Sequence, residues 1–268
     1  GYASKQYIAS TGVFDFGPLL AGRSANDAPD DASEQFVKQH IEQFRITNNS
    51  MLKADVAFSL ASAKVPEDPK AKPGGKNAAA PNPLEEFPFT IEPKQLELEV
   101  GETKELSVSC FPVKEGTYSD TIVANITDNP EPVEFQLAAI GALPKVTVDV
   151  TELDFDRLLV KQKASQSFKV SNVTAIPVKW QFQATPPVPE GFDINFMEGV
   201  LGVAEERIIN VVFKSDTACT HKFKLLLQIS DTENFGKWEA AGEIAIAAEA
   251  FVVDVLPQFP EDGNALDM

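Results

Sequence analysis

The sequence predicts an all-β chain made of two tandem β-sandwich domains. Three observations carry this. Apolar residues alternate with polar ones over most of the length, Gly, Pro and Asn break the pattern at short intervals, and the two halves repeat one apolar pattern.

The alternation comes first. Leu96, Leu98 and Val100 are separated by Glu97 and Glu99. Leu106, Val108 and Cys110 are separated by Ser107 and Ser109. Val146, Val148 and Val150 are separated by Thr147 and Asp149, and Phe223, Leu225, Leu227 and Ile229 continue the series. Successive side chains of a strand point to opposite faces, so this pattern marks strands with one buried and one wet face. Short strands with frequent turn residues suit a sandwich.

The repeat runs in three gapless blocks. Phe14, Phe16, Leu19 and Leu20 match Leu153, Phe155, Leu158 and Leu159. Phe44, Ile46, Asn48, Ser50, Val56 and Phe58 match Phe168, Val170, Asn172, Thr174, Trp180 and Phe182. Phe89, Ile91, Leu106, Val108, Tyr118, Ile122, Ile126 and Asp128 match Phe192, Ile194, Ile209, Val211, His221, Leu225, Ile229 and Asp231. One fold used twice explains all three.

The repeat sets the domain plan. Residues 1–143 form the first sandwich, with two loop insertions at about 24–38 and 63–86. Residues 144–256 form the second, and 257–268 lead towards a next repeat, so the sequence reads as a piece of a longer chain. In the first insertion, residues 30–33 offer a cap for a short helix carrying Phe36, Val37, His40 and Ile41 on one side. A loop running directly into a strand fits equally well. The second insertion is rich in Pro, Gly and Lys and too polar to order itself. Residues 141–144 make a short joint, which predicts sandwiches set end to end with limited freedom.

Composition narrows the function. The formal charge is −17. Nucleic acid and anionic membranes are therefore not expected partners, because phosphate binding needs a basic face. No apolar run reaches the ~18 residues of a membrane span, and the N-terminus lacks a signal-peptide pattern. Cys110 and Cys219 are expected as reduced thiols, in keeping with a cytoplasmic protein.

Catalytic and cofactor motifs are missing from the sequence. His40 and His221 have no second ligand at metal spacing. Gly74 and Gly75 lack the Lys-Ser/Thr of a phosphate loop, and there is no Gly-x-Ser-x-Gly elbow. Glu205 and Glu206 read as solvent-facing carboxylates. Asp128, Asn129 and Pro130 read as a turn, without the alternating oxygen ligands of a calcium loop. Trp180 reads as a core residue, and Asn48 and Asn172 as side chains bonded to the turns that follow them. The expected catalytic, cofactor and metal residues are therefore none.

Certain motifs resemble a known family. The stretches Phe14 to Gly22, Phe44 to Ser50, Gly116 to Asp120 and Asp128 to Val133 resemble ASH domains, the group named for ASPM, SPD-2 and Hydin. Leu153 to Leu159 and Val170 to Trp180 look most like its Hydin-type members. The resemblance covers nearly all of residues 14–254. It departs in the two insertions and at Asp156-Arg157, where the first half has Gly17-Pro18.

The resemblance implies an immunoglobulin-like sandwich, similar to major sperm protein and PapD-like domains, and a non-enzymatic role. It further implies a scaffold of the ciliary or flagellar axoneme, in the cytoskeleton, within the central pair apparatus. Its expected partners are other central pair proteins, the neighbouring ASH repeats of the same chain, and tubulin or microtubules. For tubulin, the expected contacts are Lys64, Lys70, Lys72 and Lys76 of the second insertion. An extracellular adhesin or carbohydrate-binding module on a similar sandwich is the alternative. It would call for disulfides, calcium or a glycan site.

Overall fold

The predicted alternation becomes eighteen strands in a computed structural model that describes residues 5–8, 12–23, 38–62, 87–233 and 237–256. The first sandwich contains β1 (Gln6–Ile8), β2 (Val13–Leu20), β3 (Ile41–Thr47), β4 (Ala54–Leu60), β5 (Phe89–Glu92), β6 (Gln95–Leu98), β7 (Thr103–Cys110), β8 (Gly116–Ile126) and β9 (Val133–Ala142). The second contains β10 (Val146–Val148), β11 (Glu152–Leu159), β12 (Lys163–Asn172), β13 (Val178–Thr185), β14 (Phe192–Ile194), β15 (Glu198–Leu201), β16 (Glu206–Lys214), β17 (Cys219–Asp231) and β18 (Glu239–Phe251).

Each half packs two sheets face to face. In the first, β1-β2-β9-β8-β4-β6 faces β3-β7-β5. In the second, β11-β18-β17-β13-β15 faces β10-β12-β16-β14. The inward residues form two separate cores. Phe16, Val56, Phe58, Leu106 and Leu137 anchor one; Phe155, Trp180, Phe182, Ile209 and Ile246 anchor the other. Val100, grouped with Leu96 and Leu98 by alternation, instead lies beyond the end of β6 and is exposed, because the chain turns at Gly101.

The duplication extends to backbone detail. The parallel pairing of β2 with β9 slips between Asp15 and Pro18, and that of β11 with β18 slips between Asp154 and Arg157. At both bulges the Asp carboxylate accepts the N–H two residues on, Gly17 N at 2.8 Å and Asp156 N at 2.9 Å. Gly17 has φ 71° and Asp156 φ 54°. Asp tolerates this left-handed region better than most residues, so the sequence departure at Asp156-Arg157 leaves the bulge intact.

The turn before β7 and β16 repeats as well. Gly101 (φ 76°) and Ala204 (φ 54°) occupy one position. Glu102 accepts from Glu99 N at 2.8 Å, and Glu205 accepts from Gly202 N at 2.7 Å. These backbone donors are the main reason both carboxyls titrate below the usual range.

Asn48 and Asn172 hold the β3–β4 and β12–β13 turns. The Asn48 Oδ1 accepts from Ser50 N at 2.9 Å, while its Nδ2 donates to Leu52 O at 2.8 Å. Asn172 repeats this with Thr174 N at 2.9 Å and Ile176 O at 2.8 Å. Both side chains are buried, so these bonds satisfy amide groups that would otherwise be costly to bury.

The halves also touch each other. Leu20, Ala142 and Ile176 make a third small apolar cluster, and Ile176, from the β12–β13 turn, is fully buried. Arg23 Nη2 lies 3.9 Å from the buried Asp231 Oδ2. A Cβ on Gly141 would collide with the Lys114 carbonyl oxygen, so the chain can pass there only as glycine.

Candidate interaction surface

The residues singled out from sequence fall in separate places. Lys64, Lys70, Lys72 and Lys76 lie outside the described residues, as do Phe36 and Val37. Residues 38–40 are helical and Ile41 opens β3, so a short helical turn runs directly into the strand. His221 is a half-buried residue of β17. Trp180 is fully buried in the second core, and the smaller Val56 fills its slot in the first. Cys110 and Cys219 are free thiols. Burial pushes the Cys110 thiol far up, which leaves it protonated and inert.

His40, which the sequence places with Ile41 on one side of a possible short helix, is a core residue. Its ring is fully buried, stacks on Phe111 with centroids 4.8 Å apart, and has Nδ1 2.7 Å from the Cys110 carbonyl oxygen. Burial lowers its pKa to about 4, against the opposing pull of that carbonyl, and Lys5 adds to the lowering. The ring is therefore neutral at pH 7. Among the described residues, no group of three His, Cys, Asp or Glu side chains is placed to hold a metal.

The surface that stands out is an apolar groove on the first sandwich. It opens between β3 and the β8–β9 pair. One cavity of about 440 Å³ is lined by Phe14, Phe44, Ile46, Phe135 and Leu137. A second, of about 320 Å³, continues past Ile46 and Phe135 to Val133 and Ala54.

The second sandwich shows why this groove exists. Its β10 lies on the outer edge of β12, with Val146 opposite Asn172 and Val148 opposite Val170. Val146 is buried and Val148 packs partly against the same core. In the first sandwich the matching segment, β1, pairs with β2 instead, with Tyr7 opposite Phe14. Among the described residues, no strand pairs with the outer edge of β3.

Exposure follows from that difference. The strand registers equate Phe135 with Ile244 and Val133 with Gly242. Ile244 is 0% exposed, whereas Phe135 is 42% and Val133 41% exposed. Phe44, Ile46 and Ala54 are half-buried, while their counterparts Phe168, Val170 and Val178 are buried.

Sequence reasoning did not find Phe135 or Val133, because they fall past the last matched block. A signal was present at the other end. Val146, Val148 and Val150 form an apolar stripe, and the matching positions are Tyr7, Ala9 and Thr11, followed by Gly12. Gly12 has φ 69° and its N–H bonds Ile8 O at 2.9 Å, which turns β1 back onto β2.

Residues 144–237 match the family model described as HYDIN/CFA65/VesB-like, Ig-like domain. That match covers most of the second sandwich. The chain as a whole is similar to two hydrocephalus-inducing proteins. It is 28% identical over 257 residues to the hydrocephalus-inducing protein homolog of Homo sapiens, across 96% of this chain and 4% of that protein. The hydrocephalus-inducing protein of Mus musculus matches with the same identity and the same coverage. The protein named deleted in lung and esophageal cancer protein 1, of Homo sapiens, is 28% identical over 130 residues, 46% of this chain and 7% of that one. The chain thus spans about 4% of the length of the first two relatives.

Among solved structures, the ASH/PapD-like domain of human CEP192 (PapD-like domain 7) aligns with a TM-score of 0.37 and 11% identity, covering 41% of this chain and 87% of that one. WR4, a C. elegans MSP family member, aligns at 0.30 and 9%, covering 40% and 97%. The resemblance read from the motifs is thus met in the second sandwich by the family model, and along the whole chain by the Hydin alignments.

Proposed function

We propose that this Hydin-like chain is a non-enzymatic structural scaffold of the ciliary or flagellar axoneme. It is part of a central pair apparatus protein, and it organises microtubule-associated projections by binding other proteins. The observation that carries this reading is the tandem of like sandwiches, docked through Ile176 and aligned over 96% of its length with Hydin relatives. Sandwiches in a row offer strand edges and end loops at fixed spacing. Weak contacts along one chain add up through effective concentration when that spacing is held.

The test is affinity capture from detergent-extracted axonemes with the folded two-sandwich protein as bait. Central pair proteins are the expected catch. Recovery of none of them, with bait shown folded by circular dichroism, contradicts the reading.

Lys64, Lys70, Lys72 and Lys76 extend the proposal to acidic tubulin tails, despite the −17 charge. Microtubule co-sedimentation of the protein with and without residues 63–86 decides this. Equal binding by both forms removes these lysines from the account.

A further inference from the structure

We propose that the groove along β3 of the first sandwich is a docking site for one extended strand of a partner polypeptide. This strand adds antiparallel to β3 and carries aliphatic side chains at alternate positions. The inference rests on the reading of the chain as a protein-binding scaffold and gives that reading a site.

The occupant's chemistry is visible in the second sandwich. There the homologous edge is filled by Val146-Thr147-Val148, antiparallel to β12, and Val146 completes the core. Carried across by register, the occupant's apolar residues stand opposite Asn48, Ile46 and Phe44 and point into the two cavities. Its backbone meets the outer edge of β3 beyond Ile41, whose carbonyl accepts from Lys5 Nζ at 2.7 Å, so main-chain hydrogen bonds to Gln43, Arg45 and Thr47 hold it, and the cavities select alternate side chains. Val133 stands where Gly242 leaves room for Val148, which lies 4.0 Å from the Cβ a side chain there would have. The level of Val133 therefore takes a smaller side chain than the level of Phe135.

Charge sharpens the choice. The chain carries −17, and Glu134 lies next to Phe135 on β9. β10 is itself preceded by Lys145. A strand flanked by Lys or Arg is favoured over an acidic one, with binding that weakens in salt.

The probe is a synthetic peptide with Val at three alternate positions, Thr between them and Lys at both ends, bearing a photoreactive group. It is titrated against the whole chain. Saturable binding with crosslinks in residues 41–47 is expected. Phe135→Asp, at a position already exposed, should weaken binding at least about tenfold while leaving the circular dichroism unchanged. A peptide with the same residues but its Val contiguous should bind far less.

Crosslinks confined to other strands, or affinity unchanged by Phe135→Asp, overturn the proposal. Dimerisation abolished by Phe135→Asp would make a second copy the occupant and overturn the partner assignment. Peptide affinity that rises more than about tenfold on deletion of residues 24–37 would make the chain its own occupant, with the same consequence. Failure of the peptide alongside successful capture of central pair proteins discards the groove and leaves the scaffold reading standing.

Discussion

The two sandwiches share their strand order, parallel-strand bulge, buried asparagine and turn carboxylate, yet their first strands join different sheets. In the second sandwich β10 closes the gap between the sheets with Val146. In the first, β1 folds back at Gly12 and leaves Phe135 and Val133 half in water. The difference teaches that the fold tolerates loss of one core-filling strand. The remaining inward residues already make a continuous core, and the lost strand's place becomes available surface.

Four tests break or sharpen this comparison. The largest effect is expected at the shared core slot. Trp180→Ala should destabilise the second sandwich by about 3–5 kcal/mol in urea unfolding. Val56→Ala in the first should cost about 2 kcal/mol, since fewer buried carbons are lost. A smaller loss at Trp180 than at Val56 breaks the equivalence of the slots.

Acid should separate the sandwiches next. His40 is held neutral, with its pKa moved down from 6.5 to about 4. Between those values the unfolded state binds a proton that the folded state does not. Stability from this group is therefore complete above pH 6.5 and falls as pH drops towards 4, by about 3 kcal/mol. His40 corresponds to Ala164 in the second sandwich, so only the first carries this loss. Urea midpoints at pH 7 and pH 4.5 measure it, and His40→Gln should flatten the slope. An unchanged slope in that variant contradicts the assignment.

Val146→Asp should make the second sandwich resemble the first. β10 detaches, stability falls by about 2 kcal/mol, and Ile244 becomes accessible. Chemical shifts of Ile244 and Val170 report the change. If they stay fixed, β10 is not what buries them.

The smallest effect is a gain. Ala204→Gly relieves a left-handed backbone that Gly101 already serves in the first sandwich, and should stabilise by about 1 kcal/mol in thermal or urea unfolding. A loss of stability would mean that the two turns are not alike.

Much of this architecture is legible in the sequence. The parity of Phe44, Ile46, Val56 and Phe58 against Phe168, Val170, Trp180 and Phe182 predicts the strands, their inward faces and the duplication, because side-chain alternation is a local property. The turn role of Asn48 and Asn172 is legible for the same reason. The placement of β1 is not, since alternation is blind to which sheet a strand joins. Pairing with β2 or with the β3 edge is a tertiary choice, decided here by a turn at Gly12. The full burial of His40 was not legible for a related reason. The sequence places it on one side of a possible short helix, but its burial depends on Phe111 and Cys110, far along the chain. The candidate site was legible only as a class, strand edges of a sandwich, and the particular edge required the strand registers.

Hydrogen exchange on the intact chain, read amide by amide, tests the central contrast most directly. The Arg45 and Thr47 amides of β3 should exchange at least about a hundredfold faster than the matching Lys169 and Ser171 amides of β12, which Asp149 and β10 cover. Equal protection of the two sets would show that the β3 edge is already occupied, and the contrast between the sandwiches would fall.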